Sequence, residues 1–298
     1  MIFPFRILFP AVICISFGLL YGWGFNAHKT INREAAHLLS DELGIYFVFH
    51  SDYLSEHSID PDLWRRDKVN HPNEGRGHYI DADLYDVFPF SDIPRTLDAL
   101  IQKYGEKNIN QWGTSPWRIE SFYQKLIDQF KAEKWEDAKL TAAVLGHYVS
   151  DIHMPLHVVE NYNGQLSGNR GIHKRWEADM VDAFLLNKVN PKGDLQMVKD
   201  PVDVAFRIVV ESFPLHTVLL KADSLARREL PMESQKRIAD RDQSMDGTGY
   251  IEILFKESGW LAKDRMELAS VRVASFWHSA WVEAGKPKPP QKTQINSQ

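Results

Sequence analysis

The sequence predicts an all-α fold built as a single domain. Apolar residues recur at helical spacing along most of the chain, and nowhere do apolar and polar residues alternate as in a half-buried strand for more than four positions. No Gly- or Pro-rich linker interrupts the middle of the 298 residues, and 44% hydrophobic content is ample for one large core. The net charge of −5 offers no basic surface of the kind that binds nucleic acid or anionic membrane non-specifically. An anionic substrate must therefore be attracted locally.

Residues 1–22 read as a signal peptide. Arg6 gives a short positive start, and the apolar run over 7–20 is shorter than the ~20 residues a membrane-spanning helix needs. The alternative is an uncleaved anchor. Gly22 is small enough to precede a cleavage point, which leaves Trp23 as the first residue of the exported chain, periplasmic or secreted. Cleavage removes Cys14, the one cysteine. A mature chain without cysteine has neither a disulfide nor a thiolate, so any metal must be held by His, Asp, Glu or backbone atoms.

The domain is expected over residues 23–285. Ile31, Ala35, Leu38 and Leu39 form the stripe of a first helix, and a second is expected over 44–57. Residues 58–81, with prolines, glycines and charges, read as a long loop of the kind that carries function. A helix follows over 93–104. Another starts at Ser115, with Pro116 in its first turn and Ile119, Phe122, Leu126 and Phe130 on one face. Residues 137–154 are apolar nearly all round, which predicts a central buried helix. After an Asn- and Gly-rich loop over 160–170, helices are expected over 171–187, within the apolar run 200–223, and over 258–284. Residues 231–248 are a polar excursion, and the tail 286–298 is expected to be disordered.

The chemistry concentrates in residues 146–177. His147 and Asp151 are four apart, as are His173 and Glu177, so on a helix each pair projects from one face as a two-point clamp for a divalent metal. Pro155 ends the first of these helices, and the turn can bring His157 inward. Other histidines, including His71 and His153, read as solvated or hydrogen-bonded side chains. No Gly-rich phosphate loop, GxSxG or CxxC occurs, which leaves serine-elbow and thiol chemistry unsupported.

The run HYVSDIHMPLH followed by GIHKRWE resembles the zinc-dependent phospholipase C and S1/P1 nuclease superfamily. Two separate features agree: the WGFNAH start, with His28 five residues after Trp23, and Asp62 followed sixteen residues later by His78 in HYID. Asp60 is the alternative to Asp62. The resemblance implies a helical bundle of the phospholipase C/P1 nuclease type with a trinuclear zinc site. One zinc would be held by Asp62, His78, His147 and Asp151. A second would take the Trp23 amine and carbonyl, His28 and a bridging Asp151, and a third His157, His173 and Glu177. It further implies a hydrolase acting on phosphodiester bonds, with Asp151 at the reacting centre and Asp62 aligning or deprotonating the attacking water.

Substrate is less well fixed. Glu177 in place of aspartate resembles the phospholipase C branch, whereas HYID and WGFNAH resemble the nucleases. Asn26, where the phospholipases carry an acidic residue, speaks against choline. Tyr79, Tyr162, Trp176 and Asn163 could serve base stacking and hydrogen bonding. The reading leans to a phospholipid head group as the substrate, with single-stranded nucleic acid as the alternative. A non-catalytic exported zinc-binding protein is the reading from another class.

Overall fold

The computed structural model describes residues 23–234 and 249–290. The expected signal peptide with Cys14, most of the polar excursion and the end of the tail lie outside the described residues. Among those described, the secondary structure is helical, and a single isolated antiparallel bridge joins Ile80 to Gly113.

The helices are α1 (Phe25–His37), α2 (Glu42–Phe49), α3 (Ser51–Glu56), α4 (Asp60–Trp64), α5 (Ala82–Tyr85), α6 (Leu97–Tyr104), α7 (Glu106–Trp112), α8 (Ser115–Lys131) and α9 (Trp135–Asp151). The composite α10 begins as Ile172–Lys174, widens into a π turn at Arg175–Met180 and ends as Val181–Phe184. Helices α11 (Pro201–Ser212), α12 (His216–Arg228) and α13 (Tyr250–Glu283) complete the bundle.

Several elements differ from the sequence expectation. The helix expected over 44–57 breaks at His50, which ends α2 and starts α3, its N–H shared between the Tyr46 and Phe47 carbonyls. The expected loop 58–81 contains α4, for which Pro61 suits the first turn. Helix α6 starts at Leu97 rather than 93, because Pro94 precedes it and the Thr96 hydroxyl accepts from the Ala99 amide as its cap. The run 200–223 splits at a short turn holding Pro214. The last helix begins eight residues before 258, at Tyr250, after Gly249 in a left-handed conformation.

Helix α9 is the axis of the fold. Every residue from 141 to 151 is buried, as its all-round apolar pattern requires. Asn32 of α1 donates to the Ala143 carbonyl at 2.9 Å and to the Leu54 carbonyl at 3.1 Å, locking α1 to α9 and α3. Gly146 permits this approach, since a Cβ there would lie 2.2 Å from Asn32 Oδ1. On the other side runs α13, whose 34 residues span roughly 51 Å. Trp277 of α13 donates its indole N–H to the Ala142 carbonyl at 2.8 Å and meets Phe47 edge-on.

Candidate metal centre

The end of α9 presents His147 and Asp151 one turn apart, both fully buried. Asp62 on α4 and His28 on α1 face them, and His78 arrives from the turn after Gly75–Gly77. Asp151 Oδ2 lies 3.1 Å from His78 Nδ1 and 3.2 Å from His147 Nε2, while its Oδ1 lies 3.5 Å from His28 Nε2. The two oxygens of one carboxylate thus face two sets of nitrogens, the geometry of a bridging ligand. His28, Asp62 and His147 also form a group of their own, their ligand atoms within 4.8 Å of one another, which cuts across the expected partition between two ions.

Pro155 and the hydrogen bond from the Met154 amide to the Asp151 carbonyl end α9 and turn the chain, delivering His157 toward α10. There His157 Nε2 lies 3.2 Å from His173 Nε2, and Glu177 Oε2 lies 3.0 Å from the same His173 nitrogen. This second cluster is the helical pair read from the sequence, joined by the third imidazole.

Outer contacts fix how each ring is turned. His147 Nδ1 donates to the Ser58 carbonyl, His157 Nδ1 to the His78 carbonyl and His173 Nδ1 to the Tyr162 carbonyl, each at 2.8 Å. Ser150 donates its own proton to the His147 carbonyl, so its Oγ accepts from His28 Nδ1. In all four rings the Nε2 lone pair is left pointing inward, as in metal-bound histidines whose other nitrogen is held. His78 is turned the other way, with Nδ1 inward and Nε2 3.4 Å from Glu74 Oε1.

The residues fit a divalent metal. Both carboxylate oxygens of Asp62 and of Glu177, Asp151 Oδ1 and His28 Nε2 are buried without a hydrogen-bond partner. A buried unsatisfied polar group costs about 1–3 kcal/mol, and more when charged. Such atoms converging in two clusters need a cation to compensate them, and an all nitrogen and oxygen donor set suits zinc. The electrostatics agree at four of these groups, while His78, although burial lowers it, is held up at about 9 by the carboxylates of Asp151, Glu74 and Asp62. Burial raises the Glu177 carboxyl far above its usual range, and Asp151 and Asp62 add to the effect. Burial alone would also raise Asp151, but His147 and His157 outweigh it and hold the group well below the carboxylate range. His28 and His157 are each pushed down to about 4, chiefly by burial, so their imidazoles are neutral at pH 7, as a metal ligand requires.

Asp60 is not in the cluster; it pairs with His57 at 2.8 Å. His153, in the turn after α9, donates to the Val149 carbonyl and also stays outside. Trp23 is fully buried, its ring 5.4 Å from Trp176 and its indole N–H bonded to the Ser150 carbonyl. The next amide, Gly24, donates to the Glu177 carbonyl at 3.4 Å, so the chain at residue 23 abuts both ligand-bearing helices. Trp176 is core and cannot stack a base from solvent, which removes it from the expected platforms.

A cleft of about 880 Å³ opens onto His78, His157 and His173. Arg65, Arg66, Lys68 and Arg76 line it, together with Tyr79 and Tyr162. Arg65, three residues after Asp62 and 3.6 Å from its carboxylate, was legible only as a charge in a loop.

Comparison with protein families matches residues 23–185 to S1/P1 nuclease, more than half of the chain. The chain belongs to the S1/P1 nuclease family. A search of curated proteins finds no match. The S1/P1 nucleases are zinc-dependent hydrolases of phosphodiester bonds. Every proposed ligand of this S1/P1 nuclease family member falls inside the matched segment, while the last third of the chain contributes support. Arg265 of α13 donates to the His153 carbonyl at 3.1 Å and to Ser212 Oγ at 2.7 Å, and Ser212 in turn bonds the Ile152 carbonyl at the end of α9.

Proposed function

We propose that the protein is an exported zinc-dependent nuclease that hydrolyses single-stranded nucleic acid. The observation that carries this reading is the charge of the cleft. Four cationic side chains line one opening of a chain whose net charge is −5, and they lie beside the clusters rather than scattered over the surface. A polyanion is drawn to such a focus, and clefts lined by one sign of charge concentrate the field. The innermost groups, His78, His157 and His173, are 1–5% exposed, too recessed for the rigid backbone of a duplex. A single strand can fold a phosphate inward and lay bases on Tyr79 and Tyr162.

The nine proposed ligands remain Trp23, His28, Asp62, His78, His147, Asp151, His157, His173 and Glu177, holding three zinc ions. Held by these residues, zinc would supply an activated water near pH 7 and charge stabilisation for the phosphate oxygens. Asp62 aligns that water, and Asp151 keeps the two ligand sets in register. Arg65, held beside Asp62, is placed to meet a phosphate oxygen.

A phospholipid head group fits the cleft less well. Asp81 is the acidic residue among those lining it. Burial, with help from Asp83 and Glu160, pushes its carboxyl up to about 8, leaving it mostly neutral at pH 7 and a poor counter-ion for a quaternary ammonium. In that state it can instead donate one hydrogen bond and accept another at a base edge.

The test is a side-by-side assay of zinc-loaded, authentically processed protein on single-stranded RNA and DNA, duplex DNA and short-chain phosphatidylcholine. Single strands are expected to be cleaved well ahead of duplex, with no lipid turnover. Lipid hydrolysis without nucleic-acid cleavage would move the assignment to phospholipase C. No turnover of any phosphodiester at full zinc loading would make it a binding protein.

A further inference from the structure

His78 is the one proposed ligand that presents Nδ1 rather than Nε2 to the cluster, and the groups that hold it so lie outside the donor set. Its Nε2 is buried with no hydrogen-bond partner, and Glu74 Oε1 faces it at 3.4 Å, outside hydrogen-bond geometry. Glu74 is 4% exposed and sits one turn before His78, on the approach to the Gly75–Gly77 turn. The Tyr148 hydroxyl donates to the same Oε1, and Arg118 Nη2 donates to Oε2 at 3.2 Å. Arg118 is itself fixed, its guanidinium near the rings of Tyr148 and Phe122 and donating to the Asn73 carbonyl. Gly77 leaves room for it, since a Cβ there would lie 2.7 Å from Arg118 Nε.

We infer that Glu74 is a positioning residue for the metal centre: its carboxylate faces Nε2 of His78, favours the proton there and so commits Nδ1 as the metal-binding nitrogen, while Arg118 and Tyr148 hold the carboxylate in place. The chemistry is general. A neutral imidazole carries one proton, and a carboxylate on the far nitrogen fixes which nitrogen keeps it and raises the basicity of the other. Glu74 is a carboxylate outside the proposed donor set, whereas His147, His157 and His173 bond backbone carbonyls and His28 bonds a serine. Arg118 reaches the surface, with a quarter of its side chain exposed, so the chain Arg118, Glu74, His78 links the protein exterior to the metal centre.

The inference rests on the zinc reading, and its test separates the two. Zinc affinity is measured by chelator competition on the full-length processed protein and on Glu74→Ala and Arg118→Met. The melting temperature of the zinc-stripped forms and the kcat and KM on a chromogenic phosphodiester are recorded alongside. Glu74→Ala is expected to weaken one zinc by about 10–100-fold and to lower kcat with KM nearly unchanged. Arg118→Met should shift the same zinc in the same direction by less. If Glu74→Ala lowers only the melting temperature and leaves zinc affinity and kcat at parental values, the residue is merely structural and the inference is overturned. Should Glu74→Ala fail to fold, Arg118→Met and Tyr148→Phe decide, and parental zinc affinity in both overturns it. If the parent itself binds no zinc, the zinc reading fails first and takes the inference with it.

Discussion

Asp151 is the residue on which the centre turns, because each of its oxygens faces a different nitrogen set. Asp151→Ala is expected to lower zinc content and to reduce turnover by at least ~100-fold, checked by metal analysis and a phosphodiester assay. Full zinc and parental turnover would remove Asp151 from the centre. Asp81 offers a pH-dependent prediction. Its folded value of about 8 lies above the usual carboxylate range, so the folded state holds a proton that the unfolded chain releases. The stability linked to that proton is complete below the unfolded value and is lost as pH rises through about 8. Asp81→Asn should therefore gain melting temperature relative to the parent as the pH is raised from about 5 to about 9, and a constant difference would refute it. Residue types and helical spacing made His147, Asp151, His173 and Glu177 legible in the sequence, since a four-residue separation is a local property of a helix. The inverted ring of His78 was not legible, because its orientation depends on Glu74, Tyr148 and Arg118 from three separate segments.

At the scale of elements, the cleft wall carrying Tyr79 and Asp81 has no helix of its own and depends on the turn that follows α7. Gly113, bridged to Ile80, adopts φ +82; its N–H donates to the Ile109 carbonyl at 3.1 Å and its carbonyl accepts from the Tyr85 hydroxyl at 2.8 Å. The Asp81 amide donates to the Trp112 carbonyl and the Ser115 amide to the Tyr79 carbonyl. A Cβ on Gly113 would lie 2.2 Å from the Tyr79 carbonyl oxygen. Gly113→Ala is expected to cost about 1–3 kcal/mol from backbone conformation alone, plus whatever displaces Tyr79. Thermal melting should show the loss, and KM for oligonucleotide should rise more than kcat falls. Unchanged KM would mean that Tyr79 does not meet substrate. Long elements such as α8, with one apolar face, and α9, apolar nearly all round, could be read from the apolar pattern. The early break at His50, the α4 turn inside an apparent loop and the start of α13 could not, since caps and tertiary contacts set those ends.

The whole molecule joins two parts with different visibility in the sequence. The matched segment holds every proposed ligand, and the last third braces it through buried polar links that no periodicity announces. Asp223 of α12 is the clearest of these. It accepts from Arg175 at 3.0 Å, Asn169 at 2.7 Å and the Tyr250 hydroxyl, forms an ion pair with Arg227 at 2.7 Å, and Arg175 lies between His173 and Glu177 on α10. Asp223→Ala would strand a buried guanidinium, at a cost of about 3–5 kcal/mol. Denaturant unfolding of the zinc-stripped protein should show that loss, and parental stability would exclude the link. At the other end of the chain, residue 23 carries the strongest global prediction. Trp23 is locked between Trp176 and the Ser150 carbonyl, and Gly24 is bonded to Glu177, so an added N-terminal residue has to pass directly beside the ligand-bearing helices. If export removes residues 1–22 and the freed Trp23 amine binds zinc, a chain made with one extra N-terminal methionine should hold two zinc ions in place of three and lose most of its activity. Its fold should survive, because the tryptophan ring keeps its packing. Equal zinc content and equal turnover in the extended and authentic forms would show that the amine is no ligand, while leaving the His and Asp clusters standing.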